Sequence, residues 1–174
     1  HIDYELSLRG SIPSIDLITE GTSVAVKDQY EDNPYPRWVN IGILQKSMTI
    51  PEVVNLIGIR TLPHELNTLN QPKILVAGCG TGQHSIEAAV RYANSDITAI
   101  DLSMSSLSFA LRRTREIKKK NINYFHGDIL DLSSMETEFD VIETAGVLHH
   151  MSYPLLGWRI LKGCLRSNGL MRVG

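Results

Sequence analysis

Three glycines at alternate positions follow a short apolar run in this sequence, at Gly78, Gly80 and Gly82. An apolar run without a turn signal is typical of a buried parallel strand, and residues 85–92 have the composition of a helix. A second apolar run ends at Asp101, about 20 residues after the glycine turn. In a mononucleotide-binding βαβ unit, an acidic side chain at this place accepts hydrogen bonds from ribose hydroxyls. The two features together predict a nucleotide site.

The spacing of the glycines decides between kinds of nucleotide. In the dinucleotide fingerprint the third glycine follows the second by three residues, because the pyrophosphate sits on the helix N-terminus. This chain has Gln83 at that position. Its G-x-G-x-G turn resembles the first motif of the class I S-adenosylmethionine-dependent methyltransferases, in which an apolar strand ends in such a turn. The resemblance implies that the backbone of the turn approaches a methionine and an adenosine.

The resemblance also implies roles for residues that follow the next strands. Asp128 matches the position where family members accept a hydrogen bond from the adenine amino group, and the backbone of Ile129 would meet the ring. The alternative for Asp128 is a simple turn, in which its side chain caps the next helical turn. The cofactor-binding residues that the resemblance implies are Gly78, Cys79, Gly80, Thr81, Gly82, Asp101, Leu102, Asp128, Ile129 and Thr144.

One position departs from the family pattern. Family members usually carry an acidic residue two positions before the first glycine, where it helps to hold the methionyl amino group, and this chain has Val76 there. We therefore expect a substitute contact elsewhere. A guanidinium is geometrically suited to a carboxylate, so we predict that Arg37 binds the cofactor by pairing with its methionyl carboxylate.

Arg37 belongs to an aromatic segment, residues 30–38, that contains two prolines and therefore cannot be a helix interior. One interpretation is an ordered loop that packs its tyrosines and tryptophan onto the main domain. The other is a lid over the cofactor pocket. A similar N-P-Y-P-R-W segment precedes the methyltransferase domain in a group of bacterial proteins that also carry tetratricopeptide repeats, and this resemblance favours the lid.

Two adjacent histidines, His149 and His150, are the candidates for a catalytic group. They lie in a V-L-H-H run that resembles the segment lining the methyl-donor end of the family site. An imidazole can deprotonate an acceptor near neutral pH, although methyl transfer to a good nucleophile depends mostly on orientation. The alternative is a loop histidine that is hydrogen-bonded to backbone. We expect the two rings to point in different directions.

Composition limits the number of domains, the partners and the compartment that we expect for this protein. The chain has 174 residues, of which 43% are hydrophobic, and this predicts one globular domain. Its net charge of -2 provides no electrostatic reason to expect nucleic acid or an anionic membrane as a partner. The two cysteines, Cys79 and Cys164, do not suggest a disulfide framework or a metal site, and a reducing cytoplasm fits them best. No membrane span or signal peptide is apparent.

The elements that position these residues predict an α/β fold with a Rossmann-like parallel sheet of strand order 3-2-1-4-5 and helices on both faces. Residues 1–70 form an N-terminal appendage and 71–174 the cofactor-binding core. In the appendage, Thr49 caps a helix that ends near Pro63. In the core, Ser103 caps a helix that runs to residue 119. Strands are predicted over 122–126, 139–144 and 170–173, and a last helix over 155–165, with a turn at 167–169.

Two helices of the core carry further predictions. On the helix after Ser103, we expect Arg112 and its basic neighbours to form a solvated face, with an RNA-binding patch as the alternative. On the last helix, Leu156 is expected to face inward. Family members continue beyond the fifth strand, so we interpret the chain as truncated there. An unpaired fifth strand would promote self-association.

The function predicted from these residues is methyl transfer from S-adenosylmethionine by direct displacement to an unidentified acceptor, a protein or a small molecule. The first alternative is an NAD(P)-dependent oxidoreductase-like domain built on the same βαβ unit. The second is a non-catalytic module that binds S-adenosylmethionine or serves as a scaffold. We expect the isolated chain to bind the cofactor without turning over an acceptor.

Overall fold

The computed structural model of this chain describes residues 2–15, 38–39 and 46–174. Its centre is a five-stranded sheet of order β3-β2-β1-β4-β5 in which every neighbouring pair is parallel. The strands are β1 (Lys73–Ala77), β2 (Asp96–Asp101), β3 (Ile122–His126), β4 (Phe139–Thr144) and β5 (Leu165–Val173). The predicted fold class and strand order are therefore confirmed.

Helices cover both faces of this sheet. They are α1 (Ile2–Leu8), α2 (Ile50–Leu56), α3 (His64–Asn67), α4 (Gln83–Arg91), α5 (Met104–Glu116) and α6 (Pro154–Gly163). Short 3-10 turns lie at Arg9–Ser11, Ile129–Met135 and Leu148–His150. None of the helices in the described ranges has the length and hydrophobicity that a membrane span requires.

The core lies in two layers because side chains alternate between the faces of a strand. On β1, Ile74 and Val76 face one layer, which is filled by α4, α5 and apolar side chains from earlier in the chain, among them Ile12, Trp38 and Val54. Leu75 and Ala77 face the other layer, which contains the Ile129–Met135 turn and α6. These four side chains are inaccessible to solvent, and only Lys73 at the start of β1 is exposed. Near-continuous apolarity of a central parallel strand follows from this two-sided burial.

Capping residues were predicted more accurately than helix ends. The Thr49 side chain accepts a hydrogen bond from the Glu52 N–H, and the Ser103 side chain accepts one from the Ser106 N–H. Helix α2 nevertheless ends at Leu56, well before Pro63, because Gly58 takes a left-handed conformation with φ of 84°. Helix α5 likewise ends at Glu116, three residues before the predicted end.

The N-terminal helix α1 was not predicted, and it changes the surroundings of α5. Its Glu5 carboxylate accepts a hydrogen bond from Arg112 Nε at 2.7 Å, and Glu116 accepts one from Arg112 Nη1 at 2.5 Å. Only 7% of Arg112 is exposed. The expectation that Arg112 lies on a solvated face was therefore wrong, because α1 covers this part of α5.

Strand β5 differs from its predicted bounds. It begins at Leu165, directly after α6, and the predicted turn at 167–169 is an irregularity within the strand. The register with β4 shifts there, and Asn168 takes a left-handed conformation with φ of 70°. On α6, Leu156 is 42% exposed, so its predicted inward orientation was wrong.

Candidate functional site

The glycine turn joins the carboxyl end of β1 to α4. The N–H groups of Gly78 and Cys79 both donate to the Ile100 carbonyl of β2, each at 2.9 Å. All three glycines have positive φ, with values of 72° at Gly78, 52° at Gly80 and 85° at Gly82. A Cβ at Gly78 would lie 2.3 Å from the Val147 side chain, so only glycine fits at this position. The turn is therefore fixed against β2 on one side and against the segment after β4 on the other.

Asp101, at the end of β2, is hydrogen-bonded to this turn. One carboxylate oxygen accepts from the Gly80 N–H at 2.7 Å, and the other accepts from the Ser103 N–H at 2.9 Å. Burial raises the pKa of Asp101, and these backbone hydrogen bonds offset only part of that effect. Among the described residues, no lysine or arginine forms an ion pair with this carboxylate. The carboxylate oxygens can therefore accept further hydrogen bonds from a ligand.

Asp128 and Ile129 follow β3 beside this acid. The Gly127 N–H donates to the Asp101 carbonyl at 3.1 Å, which brings the segment after β3 next to the end of β2. The Asp128 carboxylate accepts from the Leu130 N–H at 3.0 Å and caps the following 3-10 turn, so the capping interpretation is confirmed. Ile129 is buried in the core. The glycine turn, Asp101 and Asp128 thus lie close together at the carboxyl ends of β1, β2 and β3.

The segment after β4 lies at the same end of the strands, since Val147 lies against Gly78 of the glycine turn. His149 and His150 lie in a 3-10 turn, and both are exposed. Their ring centroids are 4.0 Å apart, so the expectation that the rings point in different directions was wrong. The hydroxyl of Thr144, at the end of β4, is buried without a hydrogen-bond partner in the described part of the chain. A buried hydroxyl of this kind is a candidate contact for a ligand.

Glu143 was missed by the sequence analysis. Its carboxylate is fully buried on β4 and accepts hydrogen bonds from the Tyr92 hydroxyl at 2.8 Å and from Arg91 Nη1 at 3.2 Å. His84 Nε2 lies 2.6 Å from the same carboxylate. Burial alone would raise the pKa of Glu143, but the hydrogen bond and charge of His84, together with Arg91, lower it to about 2. An acid within an otherwise apolar strand was the available signal.

Glu143 is also the register partner of Val76 on β1. The two side chains therefore lie side by side on the face that α4 covers. Three of the groups around the Glu143 carboxylate belong to α4 or the residue that follows it, namely His84, Arg91 and Tyr92. The buried acid thus fastens α4, which begins at the glycine turn, to the middle of the sheet.

Trp38 is the described end of the aromatic segment, and it packs against the core. Its Nε1–H donates to the Thr81 carbonyl in the glycine turn at 3.0 Å, and its ring meets Phe109 edge-on. The Arg113 guanidinium lies over the Trp38 ring at 4.6 Å. For Trp38 these contacts support the packing interpretation. Arg37 and residues 30–36 lie outside the described ranges.

Residues 74–169 match the family described as the methyltransferase domain. The chain belongs to this family. The match begins in β1 and ends within β5, so it contains the glycine turn, Asp101, Asp128 and both histidines. The predicted class of protein is confirmed at the level of the family.

Three similar proteins place this methyltransferase domain among its relatives. An uncharacterised protein of Synechococcus is 35% identical over 106 residues, covering 60% of this chain and 25% of its own length. An uncharacterised protein of Rickettsia prowazekii is 29% identical over 164 residues, covering 92% of this chain and 28% of its own length. The structure of PKMT2 from Rickettsia typhi in complex with AdoHcy has 25% identity and a TM-score of 0.59, covering 79% of this chain and 26% of that protein. The chain thus spans about a quarter of the length of these two curated relatives.

Proposed function

We propose that this methyltransferase domain binds S-adenosylmethionine at the carboxyl ends of β1, β2 and β3 and transfers its methyl group to an acceptor. The observation that carries the proposal is the joint geometry of the glycine turn and Asp101. A positive-φ turn exposes backbone to a ligand, and a carboxylate with a raised pKa lies directly beside it. Ribose hydroxyls would supply donors to this carboxylate.

The residues of this chain fit such a cofactor in three further ways. Asp128 lies beside Asp101 through the Gly127 contact, which suits an adenosine that spans the two acids. The unpartnered hydroxyl of Thr144 lies at the same edge of the sheet. The Rickettsia typhi relative was solved with AdoHcy, the demethylated form of this cofactor. We assign the ligand roles of Gly78, Gly80, Gly82, Cys79, Thr81, Leu102 and Ile129 on the same basis.

The bound cofactor supplies an electrophilic methyl group on a sulfonium. The protein would then hold the donor and the acceptor in line, so that the acceptor nucleophile takes the methyl group and displaces the thioether directly. Either His149 or His150 would accept a proton from an acceptor that needs deprotonation. Both rings are exposed, and neither is held by a carboxylate among the described residues, so orientation of the acceptor is the main contribution that we propose.

Arg37 completes the proposed cofactor site. It immediately precedes Trp38, and the Trp38 indole is hydrogen-bonded to Thr81 in the glycine turn. This neighbourhood supports pairing of Arg37 with the methionyl carboxylate. The N-P-Y-P-R-W segment also supports the proposal that this domain belongs with the methyltransferases that carry tetratricopeptide repeats.

We also propose the domain organisation, location and partners of the protein. We propose residues 1–70 as an appendage that packs on the core of 71–174, since Ile12, Trp38 and Val54 share the α4 layer of that core. We propose a cytoplasmic protein with a protein or small-molecule acceptor, and neither nucleic acid nor membrane as partner. Strand β5 is the edge of the described sheet, which supports self-association through it. Sedimentation velocity over a range of concentrations tests that last proposal.

Calorimetric titration of the chain with S-adenosylhomocysteine and with NAD tests the proposed cofactor. We expect saturable binding of S-adenosylhomocysteine and none of NAD, because Gln83 stands where a dinucleotide turn needs its third glycine. Binding of NAD alone would support an oxidoreductase-like domain. Binding of S-adenosylhomocysteine without methyl transfer by the full-length protein to any extract acceptor would support a non-catalytic module.

A further inference from the structure

A short N-terminal segment, residues 13–15, extends the sheet beside β3. The His126 N–H donates to the Pro13 carbonyl, and the Ile15 N–H donates to the His126 carbonyl, both at 2.9 Å. Ser14 and His126 form a parallel bridge. The segment thus adds one more parallel pairing at the carboxyl end of β3. This is the end of the strand that leads into Gly127 and Asp128.

The side chain of Ile15 packs directly on Gly127. A Cβ built at Gly127 would lie 3.2 Å from both Cβ and Cδ1 of Ile15, so the absence of a side chain there permits this approach. Ile15 also packs against the apolar cluster that contains Ile129. It is only partly buried, so some of its apolar surface remains accessible beside the segment after β3.

The histidine of this pairing also connects the segment to the end of β2. His126 Nε2 lies 3.0 Å from the Leu102 carbonyl, and His126 is the register partner of Asp101. Gly127 in turn donates to the Asp101 carbonyl. Ile15 therefore lies beside the one residue, Gly127, that joins Asp101 to Asp128.

We infer that Ile15 forms an apolar wall of the adenine pocket, an inference that rests on the proposed cofactor. An adenine ring offers flat apolar faces in addition to its polar edge, and it needs apolar side chains as well as the Asp128 acceptor. Ile15 is partly exposed and lies against Gly127, the residue before Asp128. The N-terminal segment is thus part of the cofactor site, whereas α1 before it packs on α5.

Replacement of Ile15 by alanine tests the inference. Ile15→Ala should weaken binding of S-adenosylhomocysteine and of free adenosine equally, each about fivefold, because both ligands carry the adenine that loses apolar contact. Ile2→Ala is the matched control, since Ile2 lies in α1 of the same N-terminal region and is 70% exposed. It should leave both affinities unchanged. Titrations are made well below the lowest melting temperature of the set, so that every variant is folded.

A second variant separates contact with the ligand from a general loss of packing. Gly127→Ala adds a methyl group against Ile15, which must move, and it should weaken binding of both ligands. In the Ile15→Ala background the contacts with Cδ1 and Cγ1 are removed and only the Cβ contact remains, so Gly127→Ala should there have a smaller further effect. Additive losses would overturn the inference, because Ile15 would then not transmit the change at Gly127.

The remaining outcomes also decide the matter. Unchanged affinities in Ile15→Ala would overturn the inference while leaving the cofactor proposal intact. A loss for S-adenosylhomocysteine but not for adenosine would also overturn it, because the contact would lie at the methionyl end. Failure of the unmodified chain to bind either ligand would refute the cofactor proposal itself and the inference with it.

Discussion

Two carboxylates of the sheet, Asp101 and Glu143, have opposite surroundings. At the end of β2, Asp101 is held by the N–H groups of Gly80 and Ser103. On β4, Glu143 is held by His84, Arg91 and Tyr92, and Arg172 lies 3.7 Å away. Burial raises the pKa of Asp101, whereas the cationic partners lower the pKa of Glu143 to about 2.

This difference distinguishes a carboxylate that binds a ligand from one that stabilises the fold. The charge of Glu143 is already compensated within the protein, so a further ligand would have to displace a partner. The charge of Asp101 is stabilised by backbone hydrogen bonds and by His126, with no lysine or arginine partner among the described residues, so added donors improve its energy. We infer that Asp101 faces the cofactor and that Glu143 maintains the scaffold beneath it.

The largest expected effect concerns Glu143. Glu143→Ala leaves Arg91, Tyr92 and His84 without their common acceptor and should lower the free energy of unfolding by about 3 kcal/mol. That value is at the low end for a broken buried pair, because Arg91 and His84 are partly exposed and can recruit water. Chemical denaturation with urea measures the change.

Glu143→Gln provides the matched variant, since it keeps the shape and one acceptor oxygen but loses the charge. It should be destabilised less than Glu143→Ala. Both variants should bind S-adenosylhomocysteine within about threefold of the unmodified chain under conditions where they are folded. A loss of binding larger than the loss caused at Asp101 would reverse the assigned roles.

The second prediction concerns Asp101. Asp101→Ala should weaken S-adenosylhomocysteine binding by about 2 to 3 kcal/mol, because two ribose hydroxyls lose an ionised acceptor. Asp128→Ala should weaken binding less, since only one neutral adenine donor is lost, although it also removes the cap of the Ile129–Met135 turn. Calorimetry on both variants gives the ranking. An unchanged dissociation constant in Asp101→Ala would exclude the assigned site.

A third prediction uses the opposite pKa shifts. Protonation of Asp101 removes the ribose acceptor, and its raised pKa means that binding should weaken at a pH above the ordinary value of 3.8. Glu143 has a lowered pKa, so its contribution to stability is complete above its ordinary value of 4.5 and is lost only as the pH falls toward about 2. On acidification, ligand affinity should decline before the Glu143 contribution to stability is lost.

Titration of affinity and of the urea midpoint over the same pH range checks this order. Asp101→Asn serves as the control, because its weak binding should not change further as the pH falls through the range where Asp101 titrates. Simultaneous loss of binding and of folding in the unmodified chain would show that Asp101 does not titrate ahead of Glu143.

Local sequence patterns made the role of Asp101 predictable, but they did not predict that of Glu143. The glycines and Asp101 occupy fixed places in a βαβ unit, so their spacing along the chain determines their proximity in space. Glu143 was missed because its partners are distant in sequence, with Tyr92 and Arg91 more than 50 residues away. The burial of Arg112 was missed likewise, since it depends on Glu5 of α1. Contacts between distant elements follow from packing, which periodicity alone does not specify.

The fourth prediction concerns the opposite charge at the site. If Arg37 pairs with the methionyl carboxylate, Arg37→Met should weaken binding of S-adenosylhomocysteine by about 1.5 kcal/mol. Adenosine lacks this carboxylate, so its affinity should be nearly unchanged. Calorimetry with the two ligands separates the possibilities. Equal losses would mean that this segment acts by packing, and the proposed ion pair would be withdrawn.

The smallest expected effect concerns Trp38, which is hydrogen-bonded to the glycine turn at Thr81. Trp38→Phe removes the hydrogen bond to the Thr81 carbonyl but keeps an aromatic ring against Phe109 and beneath Arg113. The free energy of unfolding should fall by about 1 kcal/mol, the usual contribution of a neutral hydrogen bond. Binding should change by less than in Asp101→Ala, because Trp38 restrains the turn without contacting the ribose. Urea denaturation and calorimetry on Trp38→Phe measure both quantities. A binding loss equal to that of Asp101→Ala, with unchanged stability, would mean that Trp38 itself touches the ligand.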